Sequence, residues 1–168
     1  MNRKQGFTLI ELMLVMVILG ILVAIGTVAF TSSMKKGRDT TRKGNLRAIT
    51  NALELYYNDN GRYPADISGG IKGCNGGVGL TPTPAPSPCP ANSAFKDANG
   101  TLYMAQLPTD PVASQVYYYR SPSISQFQIY ARLENTQDPA IMIIPAPPSG
   151  PDCGGTCNWG MSSANISP

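Results

Sequence analysis

Gly6-Phe7-Thr8-Leu9-Ile10-Glu11-Leu12 opens an apolar run that reaches Phe30. A short leader, residues 1–6, places two cations, Arg3 and Lys4, just ahead of it. From Phe7 to Phe30 is 24 residues, which at about 1.5 Å per residue makes a helix of roughly 36 Å. That length crosses a hydrocarbon core of about 30 Å. The run holds one carboxylate, Glu11, and residues 12–30 carry no charge at all. A carboxylate in hydrocarbon costs roughly 2.5–3.5 kcal/mol at the centre of a span and less near its end. Glu11 is therefore the first functional candidate, and the question it raises is which cation it meets.

Other readings of the run compete. A buried helix of a soluble core needs apolar neighbours on all sides, and no later segment is apolar enough to supply them. A conventional cleaved signal peptide has a basic start, an apolar stretch and small residues such as Ala24 and Gly26 near its end. Against it, the run exceeds the usual apolar region of about 7–15 residues, contains an acid, and continues into helix-compatible sequence. A plain membrane anchor, with Glu11 snorkelling to the headgroups, is the remaining alternative.

The Gly6-to-Leu12 segment followed by an apolar helix resembles the class III signal of type IV pilins and type II secretion pseudopilins. The resemblance implies that a prepilin peptidase cuts between Gly6 and Phe7 and methylates the freed amine of Phe7. Methylation keeps that charge. It also implies that Glu11 of one subunit pairs with the Phe7 ammonium of a neighbour when the helices pack in a filament. The electrostatics agree, because an unpaired ion in a dry bundle costs several kcal/mol and a hydrogen-bonded pair recovers much of it. The implied partners are further copies of the chain in a helical filament, the peptidase, an inner-membrane assembly platform and the lipid bilayer. Gly20 and Gly26 are weak points for local unwinding of the packed helix; the family often has a proline a few residues after the first of them, whereas this chain has Val28.

Orientation is in tension. Lys35, Lys36, Arg38, Arg42, Lys43 and Arg47 follow the span, and a count of basic residues puts that side in the cytoplasm. The cysteines and the family resemblance favour the opposite: N-terminus in the cytoplasm, single-pass in the inner membrane, with a periplasmic or cell-surface filament after assembly. The basic cluster is also the one feature that favours nucleic acid. A charged surface between subunits is the preferred reading of it, since on a filament the cluster would lie close to the packed helices rather than at the tip. Processing also removes Arg3 and Lys4 and leaves a formal charge of only about +1, no polycation for nucleic acid.

The remainder reads as an α+β head. Leu46, Ile49, Leu53 and Tyr56 recur at spacings of three and four, predicting an amphipathic continuation of the helix over residues 31–60 with one apolar face. Arg42, Lys43, Arg47 and Glu54 fall mostly off that face. Asn60-Gly61 stops it. With 17 glycines and 15 prolines, long irregular stretches are expected, and residues 61–100 read as a loop whose Thr81–Pro88 run favours polyproline II. Residues 101–144 read as sheet: Val116–Tyr119, then Phe127, Ile129 and Ala131 in alternation, then Ile141–Ile144 as a third strand. A three- or four-stranded antiparallel sheet would bury its apolar face on the Leu46–Tyr56 stripe. Residues 145–168 form a cysteine-bearing tail. The segments Asn51–Pro64 and Leu107–Pro111 are similar to major pseudopilins.

Cys74, Cys89, Cys153 and Cys157 lie beyond the span in Gly/Pro-rich settings. Four cysteines allow three pairings. Local loops, Cys74–Cys89 and Cys153–Cys157, are favoured over long-range bridges and over zinc, for which there is no His and no Cys-x₂-Cys. Without histidine the usual Ser-His-Asp and Cys-His constellations are impossible, and phosphate-loop and dinucleotide motifs are absent. No catalytic residue and no cofactor is predicted. Some major pseudopilins bind calcium near the end of the head, and Glu134–Asp138 has oxygen ligands in that region; a solvated turn is preferred there, so no metal ligand is assigned. The functional expectation is a structural filament subunit, with a membrane-anchored DNA-binding or adhesive minor pilin as the alternative.

Overall fold

The computed structural model describes residues 6–72, 89, 92–97, 99–146 and 150–168, with residues 26–29 described by backbone alone. Its elements are α1 (Leu9–Asn60), β1 (Asp66–Ile67), β2 (Gly70–Ile71), β3 (Phe95–Lys96), β4 (Leu102–Met104), β5 (Tyr118–Ser123), β6 (Gln126–Ala131) and β7 (Trp159–Ser162). The chain divides into two units, Met1–Gly37 and Arg38–Pro168, and α1 contributes to both.

In the first unit every described side chain from residue 6 to residue 25 is exposed. The helix that begins here is long and apolar enough to cross a membrane.

The second unit is the α+β head. Leu46, Ile49 and Leu53 are buried and Tyr56 packs against them, as their spacing predicts. At the C-terminus of α1 the Gly61 N–H donates to Tyr57 O, and Gly61 adopts φ 66°, the left-handed conformation that closes many helices. The helix stripe meets Phe127, Ile129 and Ala131, alternate residues of β6, together with Tyr119, Leu133 and Trp159. Rings fill the far end of the core: Tyr63 stacks on Tyr57 with centroids 4.5 Å apart and meets Phe127 edge-on at 4.8 Å. Tyr130, on the opposite face of β6, packs with Cys153 and Cys157. Both faces of the central strand are therefore covered.

Three small antiparallel sheets replace the single sheet expected: β1-β2, β3-β4 and β5-β6-β7. β1, β2 and β3 fall inside the stretch read as loop; residues 73–88, including the proline run, lie outside the described residues. The β1-β2 turn is Ser68-Gly69, with φ 47° and 77°, the paired positive angles that suit a two-residue hairpin. A Cβ on Gly69 would also stand 2.6 Å from the Tyr118 ring.

The third strand of the main sheet differs from the one expected. Ile141–Ile144 is not a strand. Asp138 Oδ1 accepts the Ala140 N–H and Asp138 O accepts the Ile141 N–H, so a turn leads into the segment, with Pro139 inside it. The edge of β6 is instead taken by β7, with Ile129 opposite Met161 and Ala131 opposite Trp159. Gly160 sits where a Cβ would stand 2.7 Å from the Tyr130 ring, so close approach of the two strands requires it.

Candidate assembly site

α1 begins at Leu9, which makes Thr8 its N-cap and Glu11 its third residue. The Glu11 N–H donates to Thr8 Oγ1 at 3.3 Å, and Glu11 Oε2 accepts the Thr8 N–H at 2.9 Å. Thr8 Oγ1 also donates to Glu11 Oε2 at 2.8 Å. This is a reciprocal capping box, satisfying two backbone donors that a helix start leaves unpaired. It also holds the carboxylate against the first turn rather than outward along the helix. Both contacts to the carboxylate use Oε2, and a carboxylate has about four lone-pair sites, so capacity remains for an ammonium. Thr8 is a residue that the sequence reading missed, although Thr-x-x-Glu ahead of an apolar run is itself a sequence signal.

The Gly6-Phe7 junction immediately precedes this cap. Phe7 is 88% exposed, and nothing lies within 4 Å of the position of a Gly6 Cβ. Beyond Glu11, Leu12, Met16, Val23 and Ile25 are each 60% exposed or more. Such a surface has no use in water: burying it is worth roughly 25 cal/mol per Å². The chain by itself leaves all of it uncovered.

The basic cluster departs from expectation. Arg42 is fully buried. Its Nε and Nη2 donate to both oxygens of Asp110, at 2.8 Å each, and its Nη1 donates to Asp39 at 2.7 Å and Glu134 at 2.8 Å. Arg38 Nε donates to Glu134 Oε1 at 2.7 Å, and Lys43 Nζ reaches Asp138 Oδ2 at 2.7 Å. Three of the six cations assigned to a surface between subunits are thus paired within their own head. Arg42, read as lying off the apolar face, is at its core.

The fold gathers three carboxylates, Asp39, Asp110 and Glu134, around this guanidinium. The excess negative charge is spread onto backbone donors: Glu134 N–H and Asn135 N–H bond Asp39, and Val112 N–H bonds Asp110. Hydrogen bonds from Arg38, then from Arg42, hold the Glu134 carboxyl down at about 2 in spite of burial. The Lys43 ammonium lowers Asp138 in the same way, with help from the Ala140 N–H. Burial opposes the Arg42 charge, but its bonds to Asp110, Glu134 and Asp39 outweigh that and raise its pKa. Glu134 and Asp138, the oxygen ligands noted for calcium, are therefore occupied by protein cations. Among the described residues no group of three His, Cys, Asp or Glu could hold a metal ion.

Cys153 and Cys157 are bonded to one another and fully buried. Asp152 Oδ1 accepts the Gly154 and Gly155 N–H groups, shaping the short loop between them. Cys89 is disulfide-bonded; Cys74, its expected partner, lies outside the described residues. A closed loop this short stabilises by about 2 kcal/mol on chain entropy alone. Cys153→Ser with Cys157→Ser should therefore lower the urea midpoint by the corresponding amount. Fluorescence of Trp159, the single tryptophan and a buried one, reads the transition. An unchanged midpoint would show the bridge to be dispensable.

The prokaryotic N-terminal methylation motif matches residues 1–27, and the family described as type II secretion system (T2SS), protein G, matches residues 29–138. A type II secretion system core protein G from Pseudomonas aeruginosa is 35% identical over 133 residues, 78% of this chain and 85% of that protein. One from Aeromonas hydrophila is 35% identical over 110 residues, 66% of this chain and 68% of that protein. The type IV major pilin protein PilA of Myxococcus xanthus is 39% identical over 61 residues, 36% of this chain and 28% of that protein. No solved structure matches the chain. Similarity that runs from the methylation motif into the head as far as residue 138, and across most of both chains in the Pseudomonas aeruginosa comparison, places this chain in the type II secretion system protein G family, the major pseudopilins.

Proposed function

We propose that the chain is cut between Gly6 and Phe7, methylated at Phe7, and assembled from the inner membrane into a filament of its own copies through residues 7–30. The observation that carries this reading is the uncovered apolar surface of α1, which begins at a capped carboxylate. In the membrane lipid covers that surface; in a filament the same surface of neighbouring copies covers it. The head is a structural shell, and its chemistry is packing and ion pairing rather than catalysis.

Glu11 is assigned the assembly contact. Its carboxylate is held by Thr8 at the end of the helix where processing frees an amine, and an incoming Phe7 ammonium supplies the missing positive charge. The N-in orientation is supported by the Cys153–Cys157 bridge, since disulfides persist outside the cytoplasm. Pairing of Arg38, Arg42 and Lys43 within the head leaves fewer charges for nucleic acid, so a role as DNA receptor is disfavoured. Function as a surface pilus subunit is a second reading, favoured by the likeness of 61 residues to a major pilin.

Mass spectrometry of protein from its own membrane tests the processing step. Phe7 should be the first residue and carry an N-methyl group, and Gly6→Val should accumulate uncut precursor. An N-terminus following Gly26 would identify a conventional signal peptide and end the filament reading.

A further inference from the structure

The geometry points to a recognition pocket for an acidic peptide side chain on the head, outside the assembly segment of residues 7–30. A cavity of about 330 Å³ opens between the end of α1, the β1-β2 hairpin and the β5-β6 turn, and Arg62 and Lys72 both line it. That volume is at the lower end of the range for small-ligand pockets. It suits one carboxylate side chain with an apolar neighbour.

Charge is the distinguishing feature. Among the described residues no Asp or Glu lines this pocket. Arg62 and Lys72 take part in none of the ion pairs among the described residues, although both are half-buried. The nearby acids are engaged elsewhere: Glu54 accepts the Tyr63 hydroxyl and Asp66 accepts the Ser121 N–H. In a chain whose buried cation is matched by three carboxylates, two half-buried cations with none stand out as unmatched.

The surroundings select among anions. Backbone N–H groups of Tyr63, Lys72 and Ser121 already donate to Ile124 O, Ala65 O and Asp66 Oδ1. They cannot form the nest of free N–H groups that commonly cradles a phosphate. The Ser121 hydroxyl donates to backbone carbonyls of Ser123 and Gln126. Recognition therefore falls to the Arg62 fork, which meets a carboxylate with two parallel bonds, and to the Lys72 ammonium. Tyr56, Pro64 and Ile124 add an apolar wall, and Ile124 is 71% exposed at the rim. A glutamate or aspartate beside an apolar residue, presented by a partner protein, matches both halves of this surface.

The test uses the full processed chain, ¹⁵N-labelled in neutral detergent micelles, titrated with acetyl-Phe-Glu-amide, acetyl-Phe-Gln-amide or inorganic phosphate. The glutamyl peptide should give saturable shifts at the Lys72, Ser121, Ser123 and Ile124 amides. The glutaminyl peptide and phosphate should bind roughly tenfold more weakly or not at all, the difference expected of charge-assisted hydrogen bonds. Arg62→Gln and Lys72→Gln should each weaken the glutamyl peptide, whereas Lys96→Gln, which alters a cation outside the pocket, should not. Equal shifts from both peptides, phosphate binding as tightly as the glutamyl peptide, or no saturation at millimolar concentration would overturn the assignment. The measurement is made on dispersed chains, so it is independent of filament formation.

Discussion

Glu11→Ala is expected to give a chain that inserts, loses its leader and then fails to build filaments. Removing the acid eases the monomer in lipid, because a charge leaves the hydrocarbon. In the assembled bundle the same change strands the Phe7 ammonium of a neighbour, at several kcal/mol per contact. Both effects favour the monomer, and they repeat at every subunit. Loss of the capping box adds about 1 kcal/mol against the first turn of α1, which is small beside the ionic effect. Two further variants separate these contributions. Thr8→Ala removes the cap and keeps the charge, so it should cost little assembly. Glu11→Gln keeps an acceptor for the Thr8 N–H and removes the charge, so it should be nearly as severe as alanine. Filament yield by electron microscopy at matched protein levels is the readout. Normal filaments from Glu11→Ala would make Glu11 a helix cap and nothing more.

The second large effect is expected at Arg42. Arg42→Met leaves Asp110 and Asp39 inside the head without their cation, and breaking a buried pair from one side costs about 3–5 kcal/mol. That is a large share of the roughly 5–15 kcal/mol that holds a typical domain together. Arg42→Lys keeps the charge but cannot reproduce the fork that engages both oxygens of Asp110, so an intermediate loss is expected. Acid titration offers a separate check. Glu134 binds its proton less readily in the folded head than in the unfolded chain, so its contribution is complete above the ordinary glutamate range. It fades as pH falls toward about 2. The wild-type head should lose stability across that interval, and Arg42→Met should show a shallower slope. Denaturant unfolding of the full chain in micelles, followed at Trp159 from pH 7 to pH 2, measures both. Equal stability and an equal slope would show that the cluster is not coupled to folding.

Short-range pattern made half of this head legible and long-range pairing hid the rest. The Leu46–Tyr56 stripe and the alternation of Phe127, Ile129 and Ala131 each lie within a dozen residues, and both are core. Arg42 reads as a surface cation because its acceptors, Asp110 and Glu134, are 68 and 92 residues away. β7 carries little strand signal, since Gly160 interrupts it and only the approach of Tyr130 explains the glycine. At the assembly site the membrane reading of Glu11 was strong enough to obscure a plainer one. The Thr8-x-x-Glu11 spacing is a helix start in any sequence, in lipid or out of it.

β7 also imposes an order of events on synthesis. Its four residues end at Ser162 and complete the sheet on the free side of β6. Until the ribosome has made that segment, the central strand offers a row of unpaired backbone groups to anything extended nearby. In a membrane crowded with identical chains, the nearest such segment belongs to another copy. β7, the last of the described strands in chain order, is thus the segment that turns each nascent chain from a strand-exchange partner into a finished building block.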